Sequence, residues 1–230
     1  MRCRATNTPE QLEWLAVEVD TQQENCEKTL IFCASINSVS EIYTWLMGRL
    51  RQQAYRDGVA NPRQSLISMF HAHVSPELQQ HILTVFRQKN STIRVIVCTI
   101  AFGMGVEVPD VRRVVHWGRV KSVLSFWQQV GRCGRDGLPA QAMWYPSSVT
   151  GDDREVFQHM KNGSKCVRRT ILEAFVLQPG DIEQLDQLDA RQPCAAAGGR
   201  QCAQCACSLC SCCSYCRAQC IPKKTVVYYD

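Results

Sequence analysis

No stretch of this sequence stays apolar for anything near the roughly 20 residues that a membrane-spanning helix requires. The longest strong apolar run, Thr29–Ile36, has the length of a strand. The first residues, MRCRATNTPEQ, lack the apolar segment of a secretory leader. A polybasic tract is missing too: the net charge of +5 leans towards anionic partners without establishing one. These lacks argue against a membrane partner and against a disulfide-stapled secreted domain. With 45% hydrophobic and 20% charged residues, the 230-residue chain has material for one full core and a smaller second unit.

Cysteine, by contrast, is plentiful at fifteen residues and unevenly spread. Six are scattered, and nine fall between Cys194 and Cys220, in a segment built almost wholly of Cys, Ala, Ser, Gly and Gln. Such a segment cannot form an apolar core, so order there requires a metal or a partner. An odd total without a leader favours metal binding over a disulfide framework. Zinc takes four thiolate or imidazole ligands, and Cys-x2-Cys supplies two from one tight turn. Cys202-x2-Cys205 has that spacing, and Cys207-x2-Cys210 and Cys213-x2-Cys216 are rival pairs.

Ahead of that segment the pattern alternates. Lys28–Ser35 (KTLIFCAS) is a short run of strand formers, after which Val39, Ile42, Tyr43, Leu46, Met47 and Leu50 recur at helical spacing. A cap-like Asn37/Ser38 stands between them. Leu66–Phe70 is a second strand, and Ser75-Pro76-Glu77 starts a helix with Ser as N-cap and Pro at the first position. Ile93–Cys98, Val111–His116 and Ala140–Tyr145 read as further strands, with Ser122–Val130 as a helix between the last two. Strands alternating with helices predict an α/β fold, a parallel sheet covered on both faces. In such sheets ligands gather at the carboxyl ends of the strands. That rule places Ser35, His71, Thr99 and Trp117 on one rim. From about Gly151 the strands stop, and two helices follow, Asp152–Lys161 and Lys165–Phe175. Residues 1–27 hold one segment able to form a short helix, PEQLEWLAVEV, to which no chemistry is assigned.

Two stretches carry chemistry. After Ile93–Cys98 the chain turns through Gly103 and Gly105, where exposed N–H groups can hold phosphate oxygens and Thr99 adds a hydroxyl. Further on, Phe126–Asp136 reads FWQQVGRCGRD, with Arg132 and Arg135 each preceded by a glycine. Glycine lets a backbone approach a ligand closely, and the forked donors of arginine suit phosphate. Either stretch alone is more often a plain turn or a solvated helix face.

Together and in this order, TIAFGMG followed by FWQQVGRCGRDGLPA closely resembles the last two motifs of superfamily two helicases and, among them, of the RecQ family of DNA helicases. KTLIFCAS resembles the motif before these, and MFHAHVSPELQQHILTVF the family's His-Ala-Gly-Ser-Pro segment. CVRRTILEAF resembles the helix that opens its zinc-binding subdomain. The resemblance runs from about Lys28 to Cys205. It implies an N-terminal extension (1–27), a RecA-like three-layer domain (28–150), a helical, cysteine-rich zinc-binding subdomain (151–220) and a tail (221–230). ATP with Mg2+ would be shared between two RecA-like domains, with Arg135 as the arginine finger at the γ-phosphate and Arg132 beside it. Gln128 would couple ATP to DNA, and Gly105 and Glu107 would lie near the nucleotide. Ser35, His71 and Thr99 would face single-stranded DNA. Cys166 and Cys194 would join Cys202 and Cys205 around Zn2+. Movement 3′ to 5′, work in DNA repair and recombination, and a place in the nucleus follow from the same resemblance.

There are departures from the family pattern. Glu107 stands where Asp or Asn is common, Val108 for Lys, His73 for Gly, Gly118 for Asp, Val120 for Pro and Cys133 for Ala. A helicase of this type also needs a first RecA-like domain, with a Gly-Lys-Ser/Thr phosphate loop and an Asp-Glu-x-His box. Neither motif occurs here. The expectation is the second half of a motor, inactive as an ATPase alone and working with a first domain in cis or in trans. Its partners would be ATP and DNA, single-stranded or at a junction. The alternative expectation is a remnant without motor function that binds DNA or protein through the α/β domain and a zinc knuckle.

Overall fold

The strand formers after Lys28 become the middle of a sheet. The computed structural model describes residues 7–103, 107–147, 153–163, 166–176, 178, 180, 183 and 213–219. The chain divides into two units, Met1–Thr150 and Gly151–Asp230. In the first, Thr29–Cys33 (β1) is buried along its whole length. Parallel partners flank it on both sides: Val95–Cys98 (β3) in the register Thr29↔Val95, and Arg113–Trp117 (β4) in the register Thr29↔Arg113. Ile67–Phe70 (β2) and Gln141–Tyr145 (β5) complete the order β2-β3-β1-β4-β5, every pair parallel. Central strands covered on both faces show water no polar side, which is why they read as continuous apolar runs.

Helices cover both faces. Ile36–Leu50 (α2) carries the chain from β1 to β2 and buries Val39, Ile42, Leu46 and Leu50 in one cluster with Ile31, Ile67, Val95 and Val115. Ser35, rather than Asn37 or Ser38, caps it, with its Oγ accepting the Ser38 N–H at 3.2 Å. Pro76–Arg87 (α3), capped by Ser75, leads from β2 to β3 over the other face, where Ile82 and Phe86 cluster with Leu30, Phe32, Ile96 and Val114. Val123–Val130 (α4) joins β4 to β5, and its Phe126 ring lies 4.3 Å from that of His116. Neighbouring residues of β1 point to alternate faces, so Ile31 and Cys33 fall in one cluster and Leu30 and Phe32 in the other. This is the α/β architecture that the alternating pattern predicts.

Residues 9–22 of the segment set apart as an extension pack into the same core. Glu13–Gln22 (α1) buries Leu15, Ala16 and Val19 completely, along with Leu12 just before it. These side chains share a cluster with those of α2. Lys28 is buried as well. Its Nζ donates to the Phe86 and Gln88 carbonyls at 2.8 Å each and pairs with Asp110 at 2.9 Å. One ammonium thus ties the amino end of β1 to the end of α3 and to the chain leading into β4.

In the second unit, Arg154–Asn162 (α5) buries Phe157 and Met160 and ends at Gly163. Val167–Glu173 (α6) starts from Cys166, whose Sγ accepts the Arg169 N–H at 3.4 Å. Ser214–Gln219 (α7) comes later in the chain.

Candidate functional site

The arginine stretch is the end of α4 and the loop behind it. Gln128 lies on the exposed face of α4. Past Gly131 the backbone turns at Gly134, where φ is +65°. Gly134 N donates to Val111 O at 2.9 Å, drawing the loop against the approach to β4. A Cβ at this position would lie 3.0 Å from Ala140 Cβ and 3.1 Å from Leu138 O, so backbone angle and packing both demand glycine. Arg112 braces the loop: it pairs with the Asp136 carboxylate and donates to the Leu138 and Pro139 carbonyls at 3.3 Å. Burial pushes the Asp136 carboxyl up, but hydrogen bonds from Arg112 and the Leu138 N–H outweigh it and hold the pKa below the usual value.

On this frame Arg135 donates from Nε to Gly131 O at 2.9 Å and from Nη1 to Glu107 Oε1 at 3.2 Å. The Glu107 side chain is 84% exposed. A pair so open to water contributes at most about 1 kcal/mol and exchanges readily for a stronger anion. Burial and the nearby Arg135 charge lower the Arg132 pKa, with Glu107 opposing. Two guanidinium groups close enough to perturb each other favour a multiply charged anion.

The other expected contacts lie at the opposite end of the strands. Ser35, His71 and Thr99 come just after β1, β2 and β3, and Trp117 closes β4. The arginine loop instead meets Val111 and Arg112, at the amino end of β4. One segment, 99–110, joins the two ends of the sheet, starting with Thr99 at the rim and finishing with Asp110 on Lys28. Gly105 lies outside the described residues. At the rim, the Ser35 hydroxyl is 3.0 Å from Ser38 Oγ, and Thr99 Oγ1 accepts the Ala101 N–H at 3.4 Å. His71 is 8% exposed and its Nδ1 accepts the His73 N–H at 3.2 Å, which assigns the ring proton to Nε2. Burial, and then His73, lower its pKa.

Between the ends of β1, β3 and β4 and the start of α4 lies a cavity of about 40 Å³, whose polar wall is Thr99, His116, Arg119, Lys121, Ser125 and Gln129. His116 is 2% exposed, with the Phe32 ring stacked at 5.9 Å and the Phe126 ring tilted at 4.3 Å. Burial lowers its pKa to about 3. Its Nε2 is buried with no hydrogen-bond partner among the described residues. Sequence reasoning missed His116 and Gln129, because each sits inside a pattern already explained as a strand or a helix. Arg112 was missed for the same reason.

In the second unit, Cys166, Cys213 and Cys216 bring their sulfur atoms within 4.8 Å of one another. Thiolates at about 2.3 Å from a tetrahedral zinc stand about 3.8 Å apart, so these three soft donors fit that ion. Cys194, Cys202 and Cys205 lie outside the described residues. The pair placed beside Cys166 is Cys213-x2-Cys216, one of the two rivals of equal spacing. Burial opposes ionisation of Cys213, but hydrogen bonds from the Cys216 and Val167 backbone and from the neighbouring thiols outweigh it and lower its pKa.

Five parallel strands between helical layers, with an arginine pair on the loop after α4, give the first unit the RecA-like fold of a helicase C-terminal domain. Domain 2 of the DEAD-box helicase Mss116p, solved bound to an RNA duplex, shares the fold. Its TM-score is 0.51 at 17% identity, over 77% of this chain and 68% of that one. The chain belongs to the helicase conserved C-terminal domain family, whose family model matches residues 10–137, α1 included. It is 30% identical over 155 residues to ATP-dependent DNA helicase Q4 of Homo sapiens, covering 66% of this chain and 13% of that relative. It is 32% identical over 116 residues to ATP-dependent DNA helicase RecQ of Haemophilus influenzae, covering 50% of this chain and 16% of the relative. The chain therefore spans a small part of the relatives' length, and the relatives are of the type its motifs resemble.

Proposed function

We propose that this chain is the second motor domain of a RecQ-type ATP-dependent DNA helicase, working with a first RecA-like domain. In this reading ATP and Mg2+ bind between the two domains. From this side the γ-phosphate meets Arg135, with Arg132 beside it and Gly105, Glu107 and Gln128 as neighbours. One observation carries most weight. The loop is fixed by Gly134, Arg112 and Asp136, and Gly131 O holds Arg135 Nε, while the outer end of the guanidinium meets the exposed, exchangeable Glu107. A donor already held in place stabilises charge on the departing phosphate without reorganising.

DNA, single-stranded or at a junction, would run along the rim of Ser35, His71 and Thr99. The segment 99–110 reaches both ends of the sheet, so a shift at the nucleotide end has a covalent route to the DNA end. Movement 3′ to 5′ and nuclear work in repair and recombination are part of the same proposal. Zn2+ would be held by Cys166, Cys213, Cys216 and a fourth thiolate from the clustered cysteines, Cys194, Cys202 and Cys205 among them. The metal would supply cross-linking rather than reaction chemistry.

Mixing the full chain with a first RecA-like domain that carries a phosphate loop should give DNA-stimulated ATP hydrolysis. Arg135→Ala should then lower kcat by roughly a thousandfold with nucleotide still bound. Unchanged turnover in that variant would overturn the finger assignment. DNA binding with no hydrolysis in any such mixture would favour the non-motor binding module instead.

A further inference from the structure

We infer that the cavity at the start of α4 is a phosphate subsite, separate from Arg132 and Arg135, that takes a single tetrahedral oxyanion. The inference deepens the proposed function and rests on reading the strand ends as the nucleic-acid side.

The wall decides the sign of the ligand. Arg119 and Lys121 are exposed lining residues, Thr99 and Ser125 bring hydroxyls, Gln129 an amide and His116 an imidazole, and among the described residues none that lines it is acidic. Gln129 Nε2 already donates to Ser125 Oγ at 3.1 Å, which leaves the hydroxyl proton of Ser125 to be given elsewhere. From α4 the wall takes Ser125 in the first turn and Gln129 one turn later. A cation would find no carboxylate here, and a neutral ligand would leave Arg119 and Lys121 unanswered.

His116 gives the second, independent pointer. Its Nε2 is buried with no hydrogen-bond partner among the described residues, and the ring is packed against Phe32 and Phe126, whose centroids lie 5.9 and 4.3 Å away. A buried polar nitrogen without a partner is destabilising unless a ligand or water completes it. Because the imidazole stays neutral at pH 7, it contributes a hydrogen bond and not a charge. Size sets the rest. About 40 Å³ admits a few oxygen-sized atoms and no nucleobase. The turn that aims Arg119 and Lys121 is itself pinned: Gly118, at φ +84°, donates to Tyr145 O at 2.8 Å and accepts from Trp144 Nε1 at 2.9 Å.

The test follows the His116 imidazole nitrogens by NMR while inorganic phosphate is titrated into the full chain. A saturable shift is expected, with Lys121→Gln weakening it about tenfold, the loss of one charge-assisted contact. An unmoved His116 resonance overturns the subsite, as does a shift that Arg119→Gln and Lys121→Gln leave at full strength. Oligo-dT, its methylphosphonate analogue and ATP then separate the sources. A shift from oligo-dT lost with the methylphosphonate identifies a backbone phosphate, and a shift from ATP alone identifies a nucleotide phosphate; either supports the subsite. Binding of oligo-dT with His116 unmoved would sink the subsite and leave the rim reading intact. Phosphate at His116 in a chain that takes no oligo-dT would sink the rim reading and leave the subsite.

Discussion

A neutral imidazole packed against Phe32 and Phe126 makes the stability of this protein depend on acid. The His116 pKa is lowered from 6.5 to about 3. Below pH 6.5 the unfolded chain takes up a proton that the folded chain refuses, so stability falls with pH and levels off only near 3. Between pH 6.5 and 5 this group alone should remove about 1.5 kcal/mol, read from urea unfolding curves. His116→Phe keeps the stack and should flatten the slope; an unchanged slope would assign it to other groups. Gly134 poses a second question at this scale, since a side chain there meets Leu138 and Ala140 in left-handed backbone. Gly134→Ala should cost about 1–3 kcal/mol. It should also reduce hydrolysis in the two-domain mixture more than it weakens nucleotide binding, because it shifts the frame under Arg135.

Among the elements, α1 shows how burial exceeds what pattern announces. Leu12, Leu15, Ala16 and Val19 are completely buried. Leu15→Ala should therefore destabilise the first unit by about 2–5 kcal/mol, as a core position and not as part of a tail, measured by thermal or urea unfolding. The sheet strands and helices α2 to α4 were legible because each repeats apolar residues at its own period and carries a cap or a breaker at its ends. Helix α1 was legible only as a short segment, since Trp14 and Val17 lie off the Leu12–Leu15–Ala16–Val19 stripe and blur it, and nothing local says what it packs on. Arg132 and Arg135 were legible from their glycine-flanked motif. Their brace was not: Arg112 and Asp136 are joined only when α4 folds back along β4. The cysteines illustrate the same limit. Four Cys-x2-Cys spacings, Cys202/Cys205, Cys207/Cys210, Cys210/Cys213 and Cys213/Cys216, are alike in sequence, and loop-closure entropy changes too slowly with length to choose among them. Among the described residues, Cys213 and Cys216 are the pair that stands beside Cys166.

For the molecule as a whole, the division at residue 150 supplies an optical test. All five tryptophans precede residue 145, inside the first unit, while the thiol cluster belongs to the second. Metal analysis of protein purified under reducing conditions should return about one zinc per chain. Chelation should lower the far-ultraviolet helical signal and leave tryptophan emission unchanged. A red shift of that emission on chelation would mean that the metal supports the sheet as well.

The position of β1 has a consequence for how the protein is made. Its neighbours in the sheet are β3 and β4, paired from Val95 and Arg113 onward. At synthesis rates of about 5–20 residues per second, the stretch from Thr29 to Arg113 takes roughly 4–17 s to emerge. Until Val95 emerges both edges of this central strand are open, and until Arg113 one still is, the condition in which strands stick to the wrong partner. Helices α1 and α2 are the elements already made, and both pack on the same face of β1. The helix that looked like an appendage is thus placed to shelter the central strand of a nascent chain until its partners arrive.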